Sequence, residues 1–176
     1  MAIEVELKFP VGSFDNVLER LAEMGISPGN PIAEENLIFD TRDRALGQKG
    51  ILLRLRSTSR DTVITVKTPV DVRSTMKVRE EYEASVVSNS TEEAAAMIGA
   101  LGYEVVAKYK KTRCTCRLDS VRICLDTLKI GLFVELEGTS EGQVKRVAGK
   151  LDLNMNTALT DSYLDLTSPS GSRDRF

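Results

Sequence analysis

The sequence predicts an α+β protein: an antiparallel meander of eight strands, closed or nearly closed into a barrel, with helices packed on the outside. Three observations predict it. Eight segments alternate apolar and polar residues with period two and mostly follow one another through short turns. Three other segments carry helix caps and a single apolar stripe, so each packs by one side. Charged residues recur as same-face pairs on most of the strands, which ordinary solvent-facing strands do not show.

The strands are expected at 3–9, 35–40, 51–58, 62–68, 77–87, 105–118, 121–127 and 132–138. Ser13 can cap a first helix running through Val17, Leu18, Leu21 and Met24 to a stop at Gly25. Ser90 and Glu93 form a capping box for a second helix, which Gly102 ends. Ser140 and Gln143 open a third, through Val144, Val147, Ala148 and Leu151. The 176 residues fit a single domain over 1–167, and the Ser-, Pro- and Gly-rich stretch 168–176 reads as a flexible tail.

Composition narrows the chemistry. There is no histidine, which removes Ser-His-Asp and Cys-His catalysis and histidine-ligated zinc. Net charge is −2 and aromatic residues are few, so a nucleic-acid partner is not expected. No apolar run approaches the ~20 residues of a membrane span, and no membrane partner is expected. Strand-like sequence begins at Ile3, so no targeting peptide is expected. Three cysteines without framework spacing suit a reducing compartment, so a cytoplasmic location is expected. Cys114 and Cys116 share a strand face and read as apolar filler.

Strand parity sorts the charges. Glu4, Glu6 and Lys8 point one way while Ile3, Val5 and Leu7 point the other. Arg54 pairs with Arg56, Lys67 with Thr65, and Lys111 with Arg113. Arg79, Glu81 and Glu83 share a face; Asp126 opposes Leu125; Glu135 and Glu137 oppose Val134 and Leu136. Since the helices must cover an apolar surface, the charged faces look inward. Buried charge is costly unless paired, so such a lumen holds water and ions. Clustered Arg and Lys match phosphate oxygens, and clustered carboxylates match a hard cation such as Mg²⁺ or Mn²⁺. Glu34-Glu35 reads as a solvated strand start. Tyr109 shares the inward parity of Lys111, and Tyr163 either closes the tunnel or packs near the carboxyl terminus.

These residues resemble the CYTH, or triphosphate tunnel metalloenzyme, family, which includes class IV adenylyl cyclases and thiamine triphosphatases. Glu4-Val5-Glu6-Leu7-Lys8 is similar to its Glu-x-Glu-x-Lys signature. Further similar blocks follow in order: Phe39-Asp40-Thr41 with Leu46, Gly50 and Leu53-Arg54-Leu55-Arg56; Lys67; Arg79-Glu80-Glu81-Tyr82-Glu83; and Lys111-Thr112-Arg113. Leu125-Asp126, Phe133-Val134-Glu135-Leu136-Glu137-Gly138 and Ser162-Tyr163-Leu164-Asp165-Leu166 complete the series. Leu37-Ile38-Phe39 lacks the tyrosine that a subgroup of bacterial inorganic triphosphatases pairs with a lysine.

The resemblance implies a closed eight-stranded tunnel. It implies that Lys8, Arg54, Arg56, Lys67, Arg79, Lys111 and Arg113 bind a triphosphate such as ATP or thiamine triphosphate. It implies that Glu4, Glu6, Glu81, Glu83, Asp126, Glu135 and Glu137 hold one or two Mg²⁺ or Mn²⁺ ions. Hydrolysis is the leading activity, with Glu4 or Glu6 orienting the attacking water and Lys67 assisting. Cyclisation of ATP and non-catalytic polyphosphate binding are the alternatives. Oligomeric state stays open, a homodimer included.

Overall fold

Alternation becomes eight strands: β1 (Ala2–Val11), β2 (Ile32–Asp40), β3 (Leu52–Ser57), β4 (Thr62–Pro69), β5 (Lys77–Ser85), β6 (Glu104–Leu118), β7 (Val121–Leu128) and β8 (Gly131–Gly138). Between and after them lie α1 (Asp15–Glu23), α2 (Thr91–Ala100), α3 (Glu141–Lys150) and α4 (Tyr163–Thr167). This computed structural model describes residues 2–87 and 90–167; the tail expected at 168–176 lies outside the described residues. Among the described residues no helix is long and apolar enough to cross a membrane.

The strands close into a barrel in the order β1-β5-β4-β3-β2-β6-β7-β8, all antiparallel. This corrects the simple meander expected from sequence. Two meanders, β2 to β5 and β6 to β8, are joined where β2 pairs with β6, and β1 closes the ring between β5 and β8. Register then places charge beside charge: Glu4 faces Arg79, Lys67 faces Glu81, Lys8 faces Glu135 and Arg113 faces Asp126.

The main apolar core lies outside the ring. Val5, Leu7 and Phe9 of β1 join Ile123, Leu125, Val134 and Leu136 of β7 and β8, covered by Val17 and Leu21 of α1 and by Val144, Val147 and Ala148 of α3. Each such side chain contributes about 1.5–3 kcal/mol on burial. Gly138 permits the closeness of α3, since a Cβ there would meet Val144 Cγ2 at 3.1 Å. A second cluster seats Ala94 and Ile98 of α2 on Phe39 and Leu55. Cys114 and Cys116 pack against the main core from the outer face, as filler.

The helix caps fall partly as expected. Ser90 Oγ accepts from Glu93 N at 3.0 Å and Ser140 Oγ from Gln143 N at 3.4 Å. Gln143 reaches Thr139 N at 3.1 Å. Ser13 is not the cap of α1; Phe14 holds that position without a side-chain cap, and Val17 and Leu21 anchor the helix by packing instead. The short α4 was not foreseen, because its five residues carry too little periodicity to read.

Leu136 is fully buried between β1, β7 and the helices. Leu136→Ala is expected to cost about 2–5 kcal/mol in urea unfolding. Met97→Ala, at a position 72 % exposed, should stay within about 0.5 kcal/mol of wild type. Equal losses would mean that the core does not lie outside the ring.

Candidate active site

The strand faces turned away from the helices meet around one cavity on the barrel axis. Among the described residues nine cationic and six acidic side chains line it. Thirteen of the fourteen charged positions singled out from sequence converge on it, from Glu4, Glu6 and Lys8 on β1 to Glu135 and Glu137 on β8. Asp40 helps to place β3: its carboxylate accepts from the backbone N–H groups of Thr41, Leu46 and Gly47 at 2.7, 2.9 and 2.9 Å. That folds the loop that delivers Arg54 and Arg56.

The buried lysines and Arg113 sit among carboxylates. Lys67 Nζ lies 2.7 Å from Glu4, 3.2 Å from Glu81 and 4.0 Å from Glu6. Lys8 Nζ bridges Glu6 at 3.0 Å and Glu135 at 2.9 Å. Arg113 forks onto both oxygens of Asp126 and reaches Glu135 at 2.7 Å and Glu137 at 3.3 Å. Arg54 and Arg56 lie 3.7 and 3.5 Å from Glu83, whose side chain is 39 % exposed at the edge of the network. Arg79 is buried on the cavity wall beside Glu4.

Asp126 is the exception among the expected metal ligands. It is fully buried and does not line the cavity. Besides Arg113, it accepts from Lys111 at 3.1 Å and from the Tyr163 hydroxyl at 2.7 Å. Those bonds occupy its oxygens, so here it orients cations rather than facing the lumen. Tyr163 is buried under two ammonium groups, with Lys8 Nζ 5.2 Å and Lys111 Nζ 5.0 Å from its ring centroid. The tyrosine thus lines the lumen and helps to hold the aspartate and two lysines around it.

Glu34 overturns its sequence reading. It is buried, with Lys111 Nζ 3.7 Å away, because β2 starts at Ile32 and carries Glu34 inward. Lys77 and Arg122 also line the cavity, and Cys124 and Asn36 are buried on inward positions. The same parity that marks Arg79 and Asp126 marks Lys77, Arg122 and Cys124.

Burial and pairing set the protonation states. Burial opposes ionisation of Glu135, yet Lys8 and Arg113 hold it well below the ordinary carboxylate range. Burial likewise works against Glu6, and Lys8 and Lys67 overcome it. Glu4 goes the other way: burial, with Glu6 and Glu137 nearby, outweighs Lys67 and pushes it up to about 9. The charge of the neighbouring Glu6 helps to keep Glu4 protonated. Burial lowers Lys77 to about 8, with Glu6 opposing.

One carboxylate grouping among the described residues fits a divalent cation chemically: Glu135 and Glu137 each place an oxygen within 4.8 Å of the other and of Cys124 Sγ. Oxygen donors at this spacing suit a hard ion.

The ring of strands and its ion-paired lumen define a tunnel-type antiparallel barrel. The CYTH domain matches residues 2–164, and the chain belongs to the CYTH family. It is similar to a protein of Methanocaldococcus jannaschii named as a candidate adenylate cyclase, at 24 % identity over 174 residues, spanning 93 % of this chain and 98 % of that one. In fold it resembles a candidate adenylate cyclase from Vibrio parahaemolyticus, with TM-score 0.81, 23 % identity, and 95 % and 99 % of the two chains covered. A candidate adenylyl cyclase from Hippeastrum superposes with TM-score 0.65 at 17 % identity over 87 % of this chain and 89 % of that one. That structure is described as revealing a dominant triphosphatase activity.

The raised Glu4 group predicts a pH effect. Between its unfolded value of 4.5 and its folded value of about 9, the folded state holds a proton that the unfolded state has lost, so stability falls as pH rises. With chelator present, the melting temperature of wild type is expected to fall from pH 5 to pH 8 more steeply than that of Glu4→Gln. Parallel curves would show that Glu4 is ionised in the folded protein.

Proposed function

We propose that this chain is a divalent-metal-dependent enzyme that binds a triphosphate along the barrel axis and hydrolyses it. The observation that carries the reading is the excess of nine cationic over six acidic side chains lining one cavity. A polyanion supplies the missing negative charge, and phosphate oxygens match guanidinium and ammonium donors.

Lys8, Arg54, Arg56 and Lys67 exchange carboxylate partners for phosphate oxygens, Lys111 and Arg113 add phosphate oxygens while keeping Asp126, and Arg79 completes the set beside Glu4. The carboxylates so released, Glu4, Glu6, Glu135 and Glu137, with Glu81 and Glu83 nearer their lysine and arginines, would hold the cation. A bound Mg²⁺ or Mn²⁺ would supply charge neutralisation and Lewis acidity at the phosphoryl oxygens. Asp126 keeps Lys111 and Arg113 aimed inward. Glu6, the ionised member of the Glu4–Glu6 pair, orients a water and accepts its proton as the water oxygen attacks the terminal phosphorus. The bridging P–O bond breaks, the diphosphate leaves, and Lys67 balances charge beside both glutamates.

The names of the relatives favour a second reading, in which the ribose 3′-hydroxyl of ATP attacks the α-phosphorus and pyrophosphate leaves. The activity described for the Hippeastrum protein favours hydrolysis. The products separate the two: orthophosphate against cyclic AMP with pyrophosphate.

Incubation with ATP, thiamine triphosphate and tripolyphosphate, each with Mg²⁺ or Mn²⁺, is expected to release orthophosphate from at least one, and chelation should abolish the release. Undiminished turnover in chelator would rule out the metal requirement. Arg56→Ala, on the cavity wall, is expected to lower kcat/KM roughly 10²-fold. Arg60→Ala, on the exposed turn after β3, should leave it unchanged. Equal effects would place the phosphates elsewhere.

A further inference from the structure

The cations of the lumen differ in how far they reach toward solvent. Side-chain exposure rises from 4 % at Lys8 and 6 % at Arg113 to 39 % at Arg122, so Arg122 marks an open mouth of the tunnel. The β6–β7 hairpin overhangs this mouth. β2 pairs with β6 only as far as Arg113, opposite Ile32, and β8 pairs with β7 only as far as Arg122, opposite Glu137. The hairpin itself runs on to Leu118 and Val121. Along it the parity of the lumen continues. Cys114, Cys116, Leu118 and Val121 turn to the outer core, which leaves Thr115, Arg117 and Arg122 on the inner face.

Register sets Arg117 directly opposite Arg122. Side chains so placed stand about 4.5–5.5 Å apart at Cβ, and like charges there repel. The carboxylates at hand do not relieve the repulsion. Glu137 lies 3.4 Å from Arg122 but is shared with Arg113 at 3.3 Å. Arg117 is exposed and has no ion-pair partner among the described residues. Asp119, in the turn of the hairpin, is taken by Lys150 at 3.0 Å. Once Glu137 turns to a cation, Arg122 loses its partner as well. Two guanidinium groups facing each other at the end of a phosphate-binding tunnel match one more phosphoryl group, which each can grip through paired N–H donors.

We propose that Arg117 and Arg122 bind a phosphoryl group that projects from the mouth beyond the triphosphate in the lumen, so that a chain of four phosphoryl groups is held more tightly than a chain of three. The inference rests on the triphosphate reading above and adds a chain-length preference that the lumen residues do not specify. It makes Arg117 a specificity-determining residue, outside the set that holds the first three phosphoryl groups.

Calorimetric titration with tripolyphosphate and tetrapolyphosphate, in chelator and again with Mg²⁺, tests it. Wild type should bind tetrapolyphosphate roughly ten-fold more tightly than tripolyphosphate, since two charge-assisted contacts are added at a partly exposed site. Arg117→Gln should reduce that ratio to about two-fold and leave tripolyphosphate within about two-fold of wild type. Its melting temperature without ligand should be unchanged or slightly raised, because one member of a like-charge pair is gone. Arg117→Glu should abolish the preference. Lys110→Gln removes the same charge from the outer face, where Lys110 is 76 % exposed, and should keep the wild-type ratio. Equal affinities in wild type, or a ratio untouched by Arg117→Gln, would overturn the mouth site and leave the triphosphate reading standing. A ratio lowered as much by Lys110→Gln as by Arg117→Gln would overturn it too, by showing a diffuse field rather than a site. Failure of both chains to bind under either condition overturns both readings.

Discussion

The structure depends on one constraint: charge enclosed by a closed ring of strands must be neutralised inside the ring. Lys8, Lys67 and Arg113 are all buried, and each reaches at least two carboxylates within 4.0 Å. Removing one partner from such a group would strand its neighbour, because an unpaired buried charge is far costlier than a paired one. The apolar residues are displaced to the outer face. There, α1 and α3 cover β1, β7 and β8, and α2 covers β3.

Buried ion pairs of this kind are poor devices for stability, since well-packed apolar residues of similar volume serve as well or better. Their value lies in exchange. A cation already aimed into the lumen needs little reorganisation to pass from carboxylate to phosphate, and preorganised charge is the largest contribution to phosphoryl-transfer chemistry. Asp126 shows the division of labour. Held by Arg113, Lys111 and Tyr163 behind the wall, it fixes two cations that face the cavity. Glu4 shows the cost, a carboxyl that burial and its neighbours hold protonated at neutral pH.

Closure matters as much as charge. Pairing of β1 with both β5 and β8 leaves no free edge, and Leu159 extends the pairing of β1 at Lys8, with N–O distances of 3.0 and 2.8 Å. The segment then turns into α4, which sets Tyr163 and Leu164 against the lumen. The carboxyl-terminal part of the domain is therefore structural to the site, although little in its sequence marks it as a secondary-structure element.

Parity made much of the site legible. A strand side chain has two faces to choose from, so an apolar face under capped helices forces the other face inward. That logic fixed Glu4, Glu6, Lys8, Arg54, Arg56, Glu135 and Glu137 from sequence, and applied to every position of β5 and β7 it also reaches Lys77 and Arg122. It could not fix which strands are neighbours. The ring order, with β2 against β6 and β1 between β5 and β8, depends on pairings between residues distant in sequence. Nor could parity tell a lining residue from one behind the wall. Asp126 and Glu135 have the same alternating pattern, but Lys111, Arg113 and the Tyr163 hydroxyl cover the first while the second meets the cavity. Glu34 falls outside the strand expected at 35–40; β2 begins at Ile32, and the pairing of Glu34 with Lys111 of β6 shows that it turns inward. Alternation along a strand is local and is written in the sequence; adjacency, depth and ion-pair partners are set by closing the ring, and only the tertiary structure decides them.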